Sequence, residues 1–243
     1  MDFCIIGRDI GYTLSPALYA ELWAETGEEG HTFVIEDIPR LAPFIEKVRR
    51  DRKLSGFTVT SPYKEEIVPY LDRLTPDAEA MRAVNTVRVS EDGLLIGHNT
   101  DIHGFMHTLP RLSPLGEWAL VCGNGGAAKA VREGLKRLGI PFDLISRHAA
   151  PLTYDGVKSL AGYTHIINAT PAGSVKVPDE VLPLPYDTAK AGTVFYDLNY
   201  APPLTPFLME GLKHGGIAVN GLPMLRAIIF SAQWPFLSNS RAV

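Results

Sequence analysis

The sequence predicts an α/β protein made of two α/β domains with a cleft between them. Short apolar runs alternate with helical patterns, which is typical of βαβ units. A second βαβ pattern starts after Leu109–Gly116, a segment whose prolines and glycine make it the best candidate for a domain boundary. The length of 243 residues fits one large domain or two modest ones, and the restart of the pattern favours two.

The first half contains apolar runs that predict strands, separated by helical patterns. The strands are expected at Phe3–Ile6, Thr32–Ile35 and Gly56–Thr60. Helices are expected from Pro16 and over Leu41–Arg50, with helical turns continuing to about Arg82. In residues 86–98, an Asp-Gly pair separates two alternating runs and predicts a hairpin.

The second half repeats this alternation of strands and helices. Strands are expected at Trp118–Cys122, Phe142–Ile145, His165–Asn168, Thr193–Asp197 and the short run Ile217–Asn220. Helices are expected at Gly125–Leu138 and near Pro206–His214, and a last apolar helix at about Pro223–Phe236.

Composition excludes several classes of protein. Lys and Arg number 23 against 27 Asp and Glu, so the net charge of −4 gives no basic footprint for nucleic acid or an anionic membrane. No apolar run approaches the ~20 residues of a membrane helix, and the early acid and short apolar stretch at the start lead us to expect no signal peptide. Cys4 and Cys122 lie in apolar runs, which predicts buried thiols and a cytoplasmic location. No helix carries a metal-ligand spacing of histidines, so no metal is expected.

The segment CGNGGAAKA follows a predicted strand and opens a predicted helix, which is the context of a Rossmann-type dinucleotide turn. Gly123 permits the tight turn, Gly125 lets the backbone approach a pyrophosphate, and Ala128 lets helix and strand pack closely. The helix N-terminus offers free N–H groups to phosphates. A tight strand-to-helix turn without a ligand is the alternative.

The end of the next strand bears on the choice of cofactor. Ser146 and Arg147 stand where an NAD-specific site presents an acid to the ribose 2′-hydroxyl. Because arginine suits a 2′-phosphate, NADP is expected rather than NAD. A solvated surface arginine is the alternative.

Four polar clusters of the first half fall at predicted strand ends or turns. They contain Thr13 and Ser15, then Thr58, Thr60 and Lys64, then Asn85 and Thr86, and finally Asn99, Thr100 and Asp101. Each has a plain structural alternative, since Ser15 and Asp101 can cap helices and Lys64 can be a solvated helix residue. Their combination ahead of a dinucleotide turn favours a substrate site. In that site the Thr13 and Ser15 hydroxyls, at a helix N-terminus, would form a carboxylate-binding site, here called the carboxylate seat.

Taken in order, these motifs resemble those of the shikimate dehydrogenase family over nearly the whole chain. The matching segments are IGRDIGYTLSPALYA, GFTVTSPYKEE, AVNTV, HNTDIHGF, CGNGGAAKA, SR, INATPAGS, YDLNYAPPLTPFL and VNGLPMLRAI. The resemblance implies a substrate domain of residues 1–100 with a returning C-terminal helix at 222–243, and an NADP domain of residues 101–221. It also implies an NADP-dependent oxidoreductase, monomeric or homodimeric, that reversibly reduces 3-dehydroshikimate to shikimate in chorismate and aromatic amino acid biosynthesis.

The resemblance also implies roles for single residues. Lys64 and Asp101 match the catalytic pair, and an amine beside a carboxylate can move the proton on oxygen while hydride moves at carbon. The residues implied to bind the hydroxylated cyclohexene carboxylate are Thr13, Ser15, Thr60, Asn85 and Tyr200. Those implied to bind the cofactor are Gly123, Asn124, Gly125, Gly126, Ala127, Ser146, Arg147, Thr170, Leu198 and Gly221.

Four positions depart from the family's motifs. Tyr12 replaces a histidine, Thr58 an asparagine and Ser174 a methionine, and Ile228 replaces a glutamine that contacts a substrate hydroxyl in the family. Because a hydroxyl-binding site discriminates strongly through such contacts, the loss at position 228 indicates altered or relaxed substrate choice.

Three other functions stay open at this point. One is a paralogue that acts on quinate or a related acid, and another is a non-catalytic NADP-binding regulator of the same fold. The presence of both Lys64 and Asp101 argues against the regulator. A folate-linked dehydrogenase of similar architecture is disfavoured by the AVNT, NTD and NGLPML segments.

Overall fold

The computed structural model describes residues 1–109, 118–147 and 151–238. The chain forms two compact units, the first of residues 1–100 and 228–243 and the second of residues 101–227. It therefore divides directly before Asp101, and it returns to the first unit at Ile228 rather than at residue 222. The boundary expected from composition, Leu109–Gly116, lies outside the described residues apart from Leu109, and the division does not fall there.

The first unit is built on a six-stranded mixed sheet. Its strands are β1 (Asp2–Gly7), β2 (Thr32–Asp37), β3 (Leu54–Val59), β4 (Arg73–Leu74), β5 (Thr86–Val89) and β6 (Leu95–His98), and their order is β2-β1-β3-β5-β6-β4. β1 pairs in parallel with β2 and β3, while β5 runs antiparallel to β3 and β6. The predicted hairpin is thus present as β5 and β6. The two-residue β4 was too short to leave a pattern in the sequence.

Helices of the first unit pack on the sheet through apolar side chains. They are α1 (Ser15–Thr26), α2 (Leu41–Asp51), α3 (Tyr63–Glu66) and α4 (Pro76–Met81). The core beneath α2 joins Phe44 and Val48 of that helix to Ile6 and Phe57 of the sheet. Because side chains alternate along a strand, Phe3 of β1 and Gly56 of β3 belong to the opposite face.

The second unit is built on a parallel sheet, as the restarted βαβ pattern predicts. Its strands are β7 (Ala119–Cys122), β8 (Phe142–Ile145), β9 (His165–Asn168), β10 (Val194–Asp197) and β11 (Ile217–Val219), in the order β11-β10-β9-β7-β8. Its helices are α5 (Asp101–Thr108), α6 (Gly126–Arg137), α7 (Pro206–Lys213) and α8 (Leu222–Ile228), whose last residue already belongs to the first unit. β7, β9 and β10 are buried throughout, which explains their continuous apolar runs.

The C-terminal segment forms the helix that its apolar pattern predicts, but with a π-helical turn inside it. α8 is followed by a π-helical turn at Ile229–Gln233, here called the π turn, and then by α9 (Trp234–Ser238). α9 covers the sheet face opposite α2. Trp234 meets Phe3 with ring centroids 5.6 Å apart, and a Cβ on Gly56 would lie 2.6 Å from the Leu237 side chain.

Two further expectations from composition can be compared with the structure. Cys4 and Cys122 are free thiols without exposed surface, as predicted, and burial raises the pKa of both. Among the described residues, no helix combines the length and the apolar character needed to cross a membrane.

Candidate functional site

A pair of hydroxyl groups lies where the chain enters α1. Thr13 Oγ1 is 3.1 Å from Ser15 Oγ, and the Ser15 N–H donates to Thr13 Oγ1 at 3.3 Å. Ser15 is the first residue of α1 and is only 5% exposed. The N-cap residue is Leu14, and no side chain caps the helix. The capping alternative for Ser15 is therefore wrong, and its hydroxyl is directed to the neighbouring threonine instead.

The Asn85 side chain is fixed by three donors just before β5. Its Oδ1 accepts from Thr86 Oγ1 at 2.9 Å, from the Thr100 N–H at 2.8 Å and from Thr100 Oγ1 at 3.0 Å. All three residues are buried. Its oxygen is therefore occupied within the protein. Thr100 immediately precedes Asp101, so this network also anchors the chain at that residue.

The turn that carries Lys64 is held by backbone hydrogen bonds. The Thr60 N–H donates to the Ile6 carbonyl at 2.9 Å, and the Tyr63 N–H donates to the Thr60 carbonyl at 3.0 Å. The Lys64 carbonyl accepts from the Val84 N–H at 2.7 Å. Lys64 is half-buried on the short helix α3. These bonds bring the predicted substrate residues at 60, 64 and 85 together at one end of the first sheet.

Glycine is required at the start of the turn that follows β7. Gly123 has φ +111°, and a Cβ there would lie 2.9 Å from both the Ala169 carbonyl oxygen and the Thr170 side chain. Gly125 is the N-cap residue of α6, and a Cβ there would meet no atom within 4 Å. The turn is therefore closed on its β9 side at Gly123 and open above Gly125, where the N-terminus of α6 begins.

The loops after β9 and β10 are joined by a buried network that sequence analysis missed. Asp197 Oδ2 accepts from Thr205 Oγ1 at 2.6 Å, and Oδ1 accepts from Asn168 Nδ2 at 3.1 Å and the Asn199 N–H at 2.9 Å. Thr170 donates its hydroxyl to Asn168 Oδ1 at 2.6 Å. All these residues belong to the motifs INATPAGS and YDLNYAPPLTPFL. In the sequence, we considered these motifs only as sources of ligand contacts, and therefore did not predict that their polar side chains bond to one another.

Burial raises the pKa of Asp197 to about 6, and the hydrogen bonds from Thr205 and the two asparagines offset only part of that effect. Between pH ~4, near the ordinary carboxyl value, and pH 6, the folded chain keeps a proton that the unfolded chain has lost. The stability from this proton is therefore complete below pH ~4 and is lost as the pH rises through about 6.

This shift predicts a pH-dependent difference between the wild type and Asp197→Asn. The free energy of unfolding of the wild type minus that of the variant should fall by about 2 kcal/mol between pH ~4 and ~7. Urea denaturation at several pH values in this window measures it. The variant can also lose stability because its hydrogen bonds change, but that loss should not depend on pH. If the difference in free energy of unfolding between wild type and variant stays constant with pH, the raised pKa of Asp197 is wrong.

Leu198 and Gly221 meet at the end of β10. A Cβ on Gly221 would lie 2.7 Å from the Leu198 carbonyl carbon and closer still to its oxygen. The Gly221 N–H donates to the Asn199 carbonyl at 2.9 Å. Two predicted cofactor residues that are far apart in the sequence are therefore in backbone contact. Tyr200 follows Asn199 and is half-buried.

The remaining predicted cofactor residues have partners of their own. Asn124 Oδ1 accepts from Arg132 of α6 at 3.2 Å. Ser146 is buried at the end of β8, and Arg147 is exposed and pairs with Glu180 at 3.4 Å. An exposed pair of this kind contributes about 1 kcal/mol or less, so Arg147 can exchange Glu180 for another anion. Asp101 is a buried residue at the start of α5.

Comparison with known proteins relates these features to one family. A sequence profile described as the shikimate dehydrogenase substrate binding domain matches residues 5–87. A shikimate dehydrogenase (NADP(+)) of Pelodictyon phaeoclathratiforme is 34% identical over 245 residues, which cover 91% of this chain and 86% of the relative. The chain belongs to the shikimate dehydrogenase family. Both the resemblance and the two-domain α/β fold expected from the sequence are confirmed.

Solved structures of the shikimate dehydrogenase family match both units of the chain. The shikimate 5-dehydrogenase of Thermus thermophilus, solved with NADP(H) and shikimate, is 30% identical with a TM-score of 0.86, and the match covers 98% of this chain and 93% of that one. The enzyme of Listeria monocytogenes, solved with shikimate and NAD, is 25% identical with a TM-score of 0.77, covering 94% and 90%.

Proposed function

We propose that this chain is an NADP-dependent shikimate dehydrogenase, an oxidoreductase that reversibly reduces 3-dehydroshikimate to shikimate in aromatic amino acid biosynthesis. The observation that carries the proposal is the similarity, over nine tenths of the chain, to relatives of that name. The structural match to a family member solved with NADP(H) and shikimate supports it further.

The first unit carries the groups proposed to bind the substrate. The Thr13 and Ser15 hydroxyls lie at the N-terminus of α1, where N–H groups and the helix dipole favour a carboxylate. Asn85, held just before β5 by three hydrogen bonds to its Oδ1, is proposed as a further substrate contact. Thr60 begins the turn that leads to Lys64 and offers one more hydroxyl.

Lys64 and Asp101 are proposed to move the proton. In the direction of reduction, Lys64 Nζ donates a proton to the 3-keto oxygen, and in oxidation it accepts the proton of the 3-hydroxyl. The Asp101 carboxylate is proposed to complete the catalytic pair and to bind a ring hydroxyl. Tyr200 is proposed as a further substrate contact.

The residues of the second unit fit a dinucleotide. The space above Gly125 is open, and the N-terminus of the twelve-residue helix α6 is uncapped by any side chain there. When bound, NADP supplies the hydride chemistry at its nicotinamide. Residues 123–127 are proposed to hold the pyrophosphate, and Ser146 and Arg147 the 2′-phosphate. Thr170, Leu198 and Gly221 are proposed to line the nicotinamide side.

The role of Arg147 leads to a prediction about cofactor choice. Because a 2′-phosphate is present only in NADP, Arg147→Ala should raise KM for NADP by roughly 10- to 100-fold and leave KM for NAD within about twofold. Steady-state kinetics with both cofactors measures this. Arg137→Ala is a matched control, since Arg137 is a partly exposed arginine paired with Glu133 at 3.1 Å. Equal effects of Arg147→Ala on both cofactors would contradict the assignment.

An activity panel tests the function as a whole. The purified chain is assayed for NADPH and NADH formation with shikimate, quinate and related cyclic hydroxy acids. We expect the highest kcat/KM with shikimate and NADP. Turnover of quinate but not of shikimate would instead favour the quinate paralogue. The observation that supports this alternative is the buried Ile228, which stands where the family has a glutamine. If wild type and Lys64→Ala are equally inert while NADPH binds, the regulator is correct.

A further inference from the structure

The C-terminal segment of the first unit buries an amide group that has one partner. Gln233, the only glutamine in the sequence, ends the π turn and is 6% exposed. Its Oε1 accepts a hydrogen bond from the Tyr19 hydroxyl at 3.1 Å. Within the described residues, nothing accepts a hydrogen bond from its Nε2. This nitrogen is not one of the fully buried atoms without a partner, so it keeps accessible surface from which it can donate to a ligand or to water.

The π turn decides which residue takes this buried position. The Trp234 N–H donates to the Ile229 carbonyl, five residues earlier. Because a π turn contains more residues than an α turn, it rotates Gln233 towards the face of the segment that carries Ile228. Ala232, which an α-helix would place below Ile228, is half-exposed, whereas Gln233 and Ile228 are buried. The sequence therefore loses an amide at position 228 and gains one a turn later.

Tyr19 links this amide to α1, the helix whose N-terminus carries the proposed carboxylate seat. Tyr19 follows Ser15 by one turn on the same face of α1, and helical side chains lean towards the N-terminus. Its ring is buried and stacked on Phe33 with centroids 4.1 Å apart. The Tyr19 hydroxyl is therefore fixed, and through it the Gln233 amide.

A second buried polar group without a partner lies on the same face of the sheet. Thr58 is 3% exposed, and its Oγ1 has no hydrogen-bond partner. By alternation along β3 it shares the face of Gly56, which α9 covers through Leu237. Along β3, Thr58 is nearer than Gly56 to Thr60. It therefore lies towards the end of the sheet that carries the proposed substrate residues. The buried Thr58 hydroxyl and the accessible Gln233 amide nitrogen thus lie beneath the C-terminal segment, and ring oxygens of a ligand could bond to both.

We propose that Gln233, oriented by Tyr19, is a specificity-determining residue that donates from Nε2 to a ring hydroxyl of the substrate other than the one oxidised. This inference rests on the proposed function, since it assigns the hydroxyl recognition of that same site. Shikimate carries two such hydroxyls, and an amide that binds one of them rejects the acid that lacks it.

The test compares shikimate with the two analogues that each lack one of the hydroxyls not oxidised. Gln233→Leu should lower kcat/KM for shikimate by about 10- to 100-fold, mainly through KM, and leave one of the two analogues within about threefold. Tyr19→Phe should give a smaller loss with the same selectivity. Adding Ile228→Gln to Gln233→Leu should recover part of the activity, because it returns an amide to the same face.

Tyr186→Phe is the matched control, because it removes a buried tyrosine hydroxyl that has no hydrogen-bond partner. Equal losses with shikimate and both analogues would show a structural role for Gln233 and overturn the inference, as would an unchanged kcat/KM for shikimate. Binding of each acid, followed by tryptophan fluorescence, separates the two proposals. A wild type that binds shikimate without oxidising it contradicts the proposed activity, while the selectivity of binding in Gln233→Leu still decides the role of Gln233.

Discussion

Lys64→Ala lowers kcat for shikimate oxidation by roughly 10²- to 10⁴-fold, the range expected when a positioned proton-transfer group is removed. The substrate hydroxyl must lose its proton as hydride leaves the ring carbon, and the proposed carboxylate seat at Thr13 and Ser15 cannot take up that proton. KM for NADP should change by less than about threefold, because no cofactor role is proposed for Lys64. Steady-state and single-turnover kinetics measure both quantities.

Two comparisons make the Lys64 prediction specific. Lys47→Ala, on the exposed face of α2, removes a lysine that pairs with Glu36 at 3.7 Å and should leave kcat unchanged. Asp101→Asn should also lower kcat, and the double variant with Lys64→Ala should be little worse than the worse single variant, because groups that act as a unit are not additive. Additive losses would contradict the proposed pairing of roles, and an unchanged kcat in Lys64→Ala would contradict its role in proton transfer.

Gly221→Ala destabilises the second unit by about 3 kcal/mol, the upper part of the range for overpacked sites. The new Cβ would lie 2.7 Å from the Leu198 carbonyl carbon, so backbone rather than a flexible side chain must move. For a chain of this size, that loss corresponds to a fall in Tm of roughly 6 to 12 °C. The same movement displaces Leu198, so KM for NADP should rise as well.

Gly162→Ala is the matched control for this prediction. A Cβ on Gly162 would meet no atom within 4 Å, and its φ lies outside the left-handed region. Differential scanning calorimetry of the two variants should show a large fall in Tm for Gly221→Ala and a change within a degree or two for Gly162→Ala. Equal Tm values would show that the contact between Gly221 and Leu198 relaxes without cost.

Most of the fold could be predicted from the sequence because local patterns specify it. Buried parallel strands such as β7, β9 and β10 are continuous apolar runs, and the hairpin of β5 and β6 carries an Asp-Gly turn. β4 is too short for a pattern, and the π turn interrupts a segment whose apolar character is that of one helix. An extra residue in a helical turn alters hydrogen bonding without altering hydrophobicity, so composition did not reveal it.

The candidate site, like the fold, has features that the sequence could predict and others that it could not. Residue types in ordered motifs were enough to indicate the family, the glycine turn and the candidate catalytic pair, because those motifs lie within a few consecutive residues. Only the tertiary structure showed that Asn85 uses its oxygen on Thr100, or that Asp197 holds the loops after two strands. Gln233 and Tyr19 are 214 residues apart in the chain, and their hydrogen bond depends on how α1 and the C-terminal segment pack on one sheet. The sequence alone determined which chemistry the chain carries, because chemistry depends on residue type. The tertiary structure decided which polar groups are already satisfied and which are left for a ligand, because that depends on neighbours that the sequence order does not specify.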